Sequence, residues 1–406
     1  MLWLGLLLLP FAVEADPQEL AASLSLDTLV ETARHDNAVL RAARAKAAAM
    51  NERPAQEKAL PNPMFKYGAM DSTARGNLPD AGEKRFMVEQ PFLWFGKRDL
   101  RMKIAGQDAA AMRQEAEMLE REIVMQVKDA YYDLYGVQHV TRIVRAEEKL
   151  LHEILTAAEN LYATGQRSQQ DVIKAEAEIT MLQQKLVEQD QQEATLKARL
   201  NQLLNRNPVD PLGLAVVAPP RRPSSLSTGG ERPEIRAAKI DLERSQLQRQ
   251  LMHKEFFTDY RIGAEYRNIR AGDDMVMLTF SFDLPIWQGK YKAGVREAEK
   301  MVEASTATLD AVRQQFAFES ADAHYKLLAA QRSLDLYEQT LIPQAESRFK
   351  ASDASYRTGK GDFMDLLESE RFLLNARTMA AMAEGNLGMQ LARLERTVGT
   401  NLEEKK

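Results

Sequence analysis

Two stretches of this chain alternate strictly between apolar and polar residues. Tyr260, Ile262, Ala264 and Tyr266 alternate with Asp259, Arg261, Gly263, Glu265 and Arg267, and Val276, Leu278, Phe280, Phe282 and Leu284 alternate with Met275, Met277, Thr279, Ser281 and Asp283. A period of two gives a strand one apolar and one polar face, so strands are predicted over 257–267 and 275–287, joined by Asn268–Asp274. Less regular stretches over 64–70 and 85–94 predict two more, around a loop at 71–82 rich in Gly, Asp, Asn and Pro. Strands of this kind suit a membrane barrel, with lipid on one side, water on the other, and Trp94 and Trp287 as interface aromatics. An antiparallel sheet on a soluble core has the same pattern, so alternation alone leaves both readings open. Spanning barrels need about eight strands or more, and an open sheet edge cannot face lipid. The membrane reading therefore requires several chains in one barrel; three chains of four strands would supply twelve.

Between the strands the period changes. Leu119, Ile123, Val127, Ala130, Leu134 and Val137 step by three or four residues, as on one helix face. Long helices are predicted from about Lys97 to Leu161 and from Lys290 to Ser355, with returning helices over Ser168–Leu204 and Asp362–Val398. About 65 residues at about 1.5 Å each make a rod of about 100 Å. The returning helices are shorter, so a further piece must complete the second rod. Pro343 is expected to kink or interrupt its helix. Narrow apolar stripes among many Glu, Gln, Lys and Arg suit rods packed side by side around a water-filled centre; a dimeric coiled coil is the competing arrangement. Short helices are predicted near Leu26–Val30 and over Ala38–Met50.

The second half copies the first. Tyr162-Ala-Thr-Gly165 recurs 194 residues on as Tyr356-Arg-Thr-Gly359, followed by Asp171-Val-Ile and Asp365-Leu-Leu respectively. Ala198-Arg199-Leu200 recurs as Ala392-Arg393-Leu394, and Gly96-Lys97 as Gly289-Lys290. Each repeated glycine lies between two helical stretches and predicts a hairpin bend, at 162–168 and at 356–362. So long a period excludes a short-repeat solenoid and describes two tandem repeats, 16–204 and 234–400. Between them lies a linker at 205–233 rich in Pro, Gly, Ser and Arg, and after them a tail at 401–406.

The formal net charge is −5 over 406 residues, which argues against a nucleic-acid binder. With no cysteine, no disulfide, thiolate metal site, cysteine nucleophile or lipidated N-terminal cysteine is expected. His35, His139, His152, His253 and His324 are scattered, without metal-ligand spacing. No nucleophile motif, phosphate loop or metal cluster is present in the sequence, so neither an enzyme nor a cofactor is expected. Residues 2–13 form an apolar run of signal-peptide length, too short to span a bilayer, and Val13-Glu14-Ala15 places small residues for cleavage after Ala15. A signal peptide over 1–15, and hence export, is the expectation; no basic residue precedes the run, and a buried N-terminal strand is the alternative.

The two Tyr-x-Thr-Gly turns with their following Asp171-Val-Ile and Asp365-Leu-Leu, the helix end Ala198–Leu204, Leu341-Ile-Pro343 and the duplicated Gly-Lys together resemble the TolC-like outer membrane efflux factors of Gram-negative bacteria. The likeness covers nearly all of the mature chain. It implies a homotrimer whose twelve-stranded barrel sits in outer membrane lipid and continues into a long periplasmic helical barrel. The implied partners are a periplasmic membrane-fusion adaptor, docking at the tips around Gly165 and Gly359, and an inner-membrane efflux transporter. The turn motif places Asp365 and Glu368 where members carry acidic rings at the constricted mouth. Independently, a spacing of three puts both carboxylates on one helix face; solvated hairpin charges are the alternative. Lys174 stands in the first copy where Glu368 stands in the second, so the hairpins are not equivalent. The resemblance also makes Tyr162 and Tyr356 gate-linking residues. Gly361 occupies a position where some members carry a basic residue that ties the gate shut, a departure from the pattern.

Gln90–Arg98, following Leu60-Pro61-Asn62-Pro63, looks more like the heavy-metal branch than the drug branch. Met275 and Met277, on the polar strand face, either offer thioethers to soft cations or fill space at the wall. The reading that results is a passive exit duct of a tripartite efflux pump. A structural or adhesive coiled-coil protein of the envelope, or a type I secretion duct, is the alternative.

Overall fold

A computed structural model describes residues 25–70, 82–212, 232–270 and 272–398. The expected signal peptide and tail, the 71–82 loop up to residue 81, and most of the 205–233 linker lie outside these. The described residues are predominantly helical with four strands. The elements in order are α1 Leu26–Asp36, α2 Ala38–Met50, α3 Arg53–Lys58, β1 Met64–Met70, β2 Glu83–Phe92, α4 Lys97–Ala163, α5 Gln169–Leu203, α6 Pro233–Lys254, β3 Tyr260–Ile269, β4 Met275–Phe282, α7 Gln288–Leu336, α8 Ile342–Arg357 and α9 Phe363–Val398. Each half thus runs through helix, two strands, long helix, turn and returning helix, which is the duplication at the level of elements.

The described residues form two units. One comprises residues 41–70, 82–119, 232–270 and 272–317 and contains the sheet. Its strands run antiparallel in the order β1-β2-β3-β4. The register aligns Phe65, Val88, Ala264 and Leu278 across all four strands, and beside them Tyr67, Phe86, Tyr266 and Val276. Alternation therefore builds one continuous apolar face, much of it exposed: Val276 is 75% and Leu278 80% accessible. The opposite face carries Lys66, Met87, Glu265 and Met277 in one row and Arg85, Arg267 and Met275 in the next.

Three strand limits differ from the expectation, each for a local reason. β2 covers Glu83–Phe92 rather than 85–94, because Glu83 pairs with both Met70 and Ile269 and Phe92 is the last residue opposite Tyr260. β3 starts at Tyr260 rather than 257, because the chain is still leaving α6: Phe257 N–H donates to the Lys254 carbonyl at 3.0 Å. β4 ends at Phe282 rather than 287, because its partner has no residue before Tyr260 left to pair and Pro285 offers no N–H.

Trp94 and Trp287 consequently lie beyond the strand ends. Trp94 stacks on Phe257 with ring centroids 5.4 Å apart, and its N–H donates to Asp259 Oδ1 at 2.8 Å; Trp287 is 82% exposed. The duplicated Gly-Lys also divides. Gly96 has a φ of +85°, and the buried Lys97 after it meets Glu255 Oε2 and Asp259 Oδ1, each at 3.1 Å, whereas Gly289 and Lys290 sit exposed in the first turn of α7. Replacing Lys97 by methionine keeps the stem but removes the cation that two partly hydrated carboxylates share, leaving Glu255 only Arg101 at 3.9 Å. A loss of roughly 1.5–3 kcal/mol is expected in denaturant unfolding, against no measurable change for Lys290→Met.

The other unit comprises residues 25–40, 120–212 and 318–398. Asn37 connects its parts: Oδ1 accepts from the Val39 and Leu40 N–H groups, capping α2, while Nδ2 donates to the Leu203 carbonyl at the end of α5. The main core lies between α4, α5, α8 and α9, around Leu151, Ile154, Phe363 and Leu366. A buried ion pair, Lys128 Nζ to Glu395 Oε2 at 2.6 Å, joins α4 and α9. Pro343 stands in the first turn of α8, directly after a π-helical turn at Tyr337–Leu341. The backbone accommodates the missing N–H and the ring by widening ahead of the proline rather than by stopping. The helix α6 is not singled out by apolar periodicity, since only Pro233, Ala238 and Ser245 are buried along it.

Candidate channel mouth

The two hairpin turns are the same motif built twice. Gly165 N–H donates to the Tyr162 carbonyl and Gln166 N–H to that of Leu161, each at 2.9 Å; Gly359 N–H donates to Tyr356 at 2.9 Å and Lys360 N–H to Ser355 at 3.0 Å. This paired bonding closes the last helical turn and requires a left-handed residue; the glycines have φ of +70° and +74°. Ser168 Oγ then caps α5 by accepting from Gln170 N–H at 3.1 Å.

Around this shared motif the side chains differ. Tyr356 is 1% exposed, packed on Phe363 with centroids 5.2 Å apart, whereas Tyr162 is 47% exposed. Arg167 lays its guanidinium over the Tyr356 ring at 5.2 Å and donates to the Gly361 carbonyl. Burial, and secondarily the negative charge of Asp171, push the Tyr356 hydroxyl up to about 12. Positions 167 and 361 are counterparts in the two copies, so the hairpins touch through equivalent residues. Gly361 has no room for a side chain: a Cβ there would lie 2.9 Å from that of Ser355. The cation at this point comes instead from Arg167, on the other hairpin.

Asp365 and Glu368 are both exposed on α9, and Glu368 Oε1 meets Arg348 Nη2 of α8 at 3.1 Å. A single chain brings these two carboxylates to one helix face. Lys174, the counterpart of Glu368 on α5, is half-buried.

Sequence reasoning missed the charges just behind this surface. Arg371 forks onto Glu178 of α5, and Glu147 of α4 faces Glu370 of α9 in the core. Nothing in the linear pattern singles them out, because Glu is abundant on every helix and only the packing separates buried from solvated ones.

Among the described residues no helix is long and apolar enough to cross a membrane. The family model described as "Outer membrane efflux protein" matches residues 29–206 and 228–400. The cobalt-zinc-cadmium resistance protein CzcC of Cupriavidus metallidurans is 22% identical over 393 residues, covering 94% of this chain and 92% of that protein. The outer membrane protein VceC of Vibrio cholerae has a structure similar to this one with a TM-score of 0.79 at 19% identity, over 93% of this chain and 97% of its own. CusC, described in terms of folding and transmembrane channel formation, gives a TM-score of 0.79 at 16% identity over 96% and 95%. The fold is that of these channels: mainly helical, with four antiparallel strands among the described residues. Family members are channels rather than enzymes, placed in the outer membrane and reaching into the periplasm. With both repeats covered by the family model and the whole architecture shared, this chain belongs to the outer membrane efflux protein family.

Proposed function

We propose that this chain is the exit duct of a tripartite efflux pump, passively conducting substrate delivered by an inner-membrane transporter through a periplasmic adaptor. One observation carries the reading: a four-stranded sheet with an exposed apolar face, a charged opposite face, and edge strands β1 and β4 each paired on one side only. Such a sheet can enter lipid only if sister chains complete it, and the charged face then lines a water-filled passage. An envelope coiled coil has no use for that apolar face.

In this reading the mature chain begins after Ala15, with repeats at 16–204 and 234–400 about the linker 205–233. The turns at Gly165 and Gly359 are the tips on which the adaptor docks. Tyr356, held under Arg167, links the hairpins within a chain, and Tyr162, exposed, is left to meet a neighbour. Asp365 and Glu368 from three chains form a ring of six acids at the mouth, which favours cations and resists its own closure. Heavy-metal cations are the substrate class, supported by the relative named for cobalt, zinc and cadmium resistance.

Purified protein in planar bilayers is expected to conduct, with current blocked by a trivalent cation. Asp365→Ala with Glu368→Ala is expected to weaken that block more than tenfold without loss of conductance. Block retained in the double variant overturns the placement of the ring, and absence of conductance in the unaltered protein overturns the duct.

A further inference from the structure

The apolar core between α4 and α9 is interrupted by two carboxyl groups facing each other. Glu147 is 2% and Glu370 1% exposed, and the two carboxyl groups lie against each other. One turn away on either side stand Val144, Leu151, Leu367 and Leu374, all in the same buried cluster. Among the described residues, no N–H or O–H group of another residue reaches Oε1 of Glu147 or either oxygen of Glu370.

The cations nearby are engaged elsewhere. Arg371 of α9 is forked onto Glu178 of α5, and Arg377 of α9 donates to Glu346 of α8 at 2.9 Å. Glu178 adds negative charge against Glu370, which Arg371 partly offsets, and Arg377 does the same for Glu147. Two ionised carboxylates in this setting would repel each other, and among the described residues no donor relieves Glu370. A single shared proton turns the contact into a charge-assisted O–H···O⁻ bond. At 1–2% exposure, neither group is open to a donor from a neighbouring subunit.

We propose that Glu147 and Glu370 form a proton-sharing clasp between α4 and α9, which loosens the packing of these helices when the proton passes to water in alkaline solution. The clasp concerns packing within one chain and stands whether or not the protein is a duct. Burial first, then the neighbouring Glu147, push Glu370 up to about 9, and burial raises Glu147 as well. An acid whose folded pKa lies above its ordinary 4.5 keeps a proton that the unfolded chain has released. Stability from this group is therefore complete below about 4.5 and declines with rising pH until about 9, beyond which it no longer changes.

The test uses the full chain in detergent, unaltered and as Glu370→Gln. Infrared titration of the unaltered protein should show a carboxylic-acid carbonyl band that survives above pH 7 and disappears with a midpoint near 9; the variant should lack it. Amide hydrogen exchange in α9, taken as the ratio of the unaltered protein to the variant at each pH, should rise by at least tenfold between pH 6 and pH 10. Should Glu370→Gln fail to fold, Glu147→Gln serves, because its amide donates to the Glu370 carboxylate and removes the need for the proton. An unaltered protein with no acid band at pH 7.5, or an α9 exchange ratio that is the same at both pH values, overturns the clasp.

Discussion

Arginine in place of Leu278 is expected to stop the protein from assembling in the outer membrane. Leu278 is 80% exposed, in the middle of β4, and lies in register with Ala264, Val88 and Phe65 on the apolar face of the sheet. An arginine on the lipid face at mid-depth costs about 2–4 kcal/mol, and a trimer incurs it three times, about 6–12 kcal/mol in all. Arginine at the adjacent Met277 is the control. That residue lies on the opposite face, directly across from Glu265, where a cation gains a partner and stays in water. Membrane fractionation and heat-modifiable migration on gels separate the outcomes. Loss of the assembled form for Leu278→Arg alone is expected; loss for Met277→Arg alone would mean that the faces have been assigned the wrong way round, and equal loss for both that neither face is a lipid face.

Alanine in place of Gly388 is expected to destabilise the helical unit by about 3 kcal/mol or more, at the upper end of the cost of overpacking a close-packed core. A Cβ there would stand 2.4 Å from Cγ of Tyr132, whose own ring is 3% exposed and has nowhere to go. Gly385 is equally constrained, by the Tyr132 carbonyl at 2.7 Å, with Gly136 of α4 close by. Helix α9 therefore approaches α4 at glycine distance. Gly106, also within α4, has nothing within 4 Å of such a Cβ; Gly106→Ala is expected to stabilise, by about 1 kcal/mol, through helix propensity alone. Denaturant unfolding gives both signs in one experiment. A Gly388→Ala protein as stable as the unaltered one would mean that α4 and α9 can separate without cost.

Both predictions rest on features of different legibility. The apolar face of the sheet was readable at Leu278 because a strand's period of two is written directly in the chain, and the helical hairpins because glycine is the residue that a left-handed closing turn selects. Gly385 and Gly388 had no such mark: a glycine within a helix looks like a weakness until the neighbouring backbone is in place. The duplication located both turns but overstated their likeness. Tyr162 and Tyr356 are equivalent in sequence and opposite in burial, because Phe363 and Arg167 meet only one of them.

The order of the strands and long helices, the repeat and the two faces of the sheet were determined by the sequence alone, since each depends on periodicity or on local backbone preference; α3 and α6 were not, because neither buries an apolar stripe. The strand ends were not, because β4 stops where β3 runs out of partners. Nor was the fate of the charges. Glu368 and Glu370 stand two residues apart on α9; one reaches solvent and Arg348, the other is closed in against Glu147. Hydration and partner are properties of what packs opposite a residue, and that is decided only when distant parts of the chain come together.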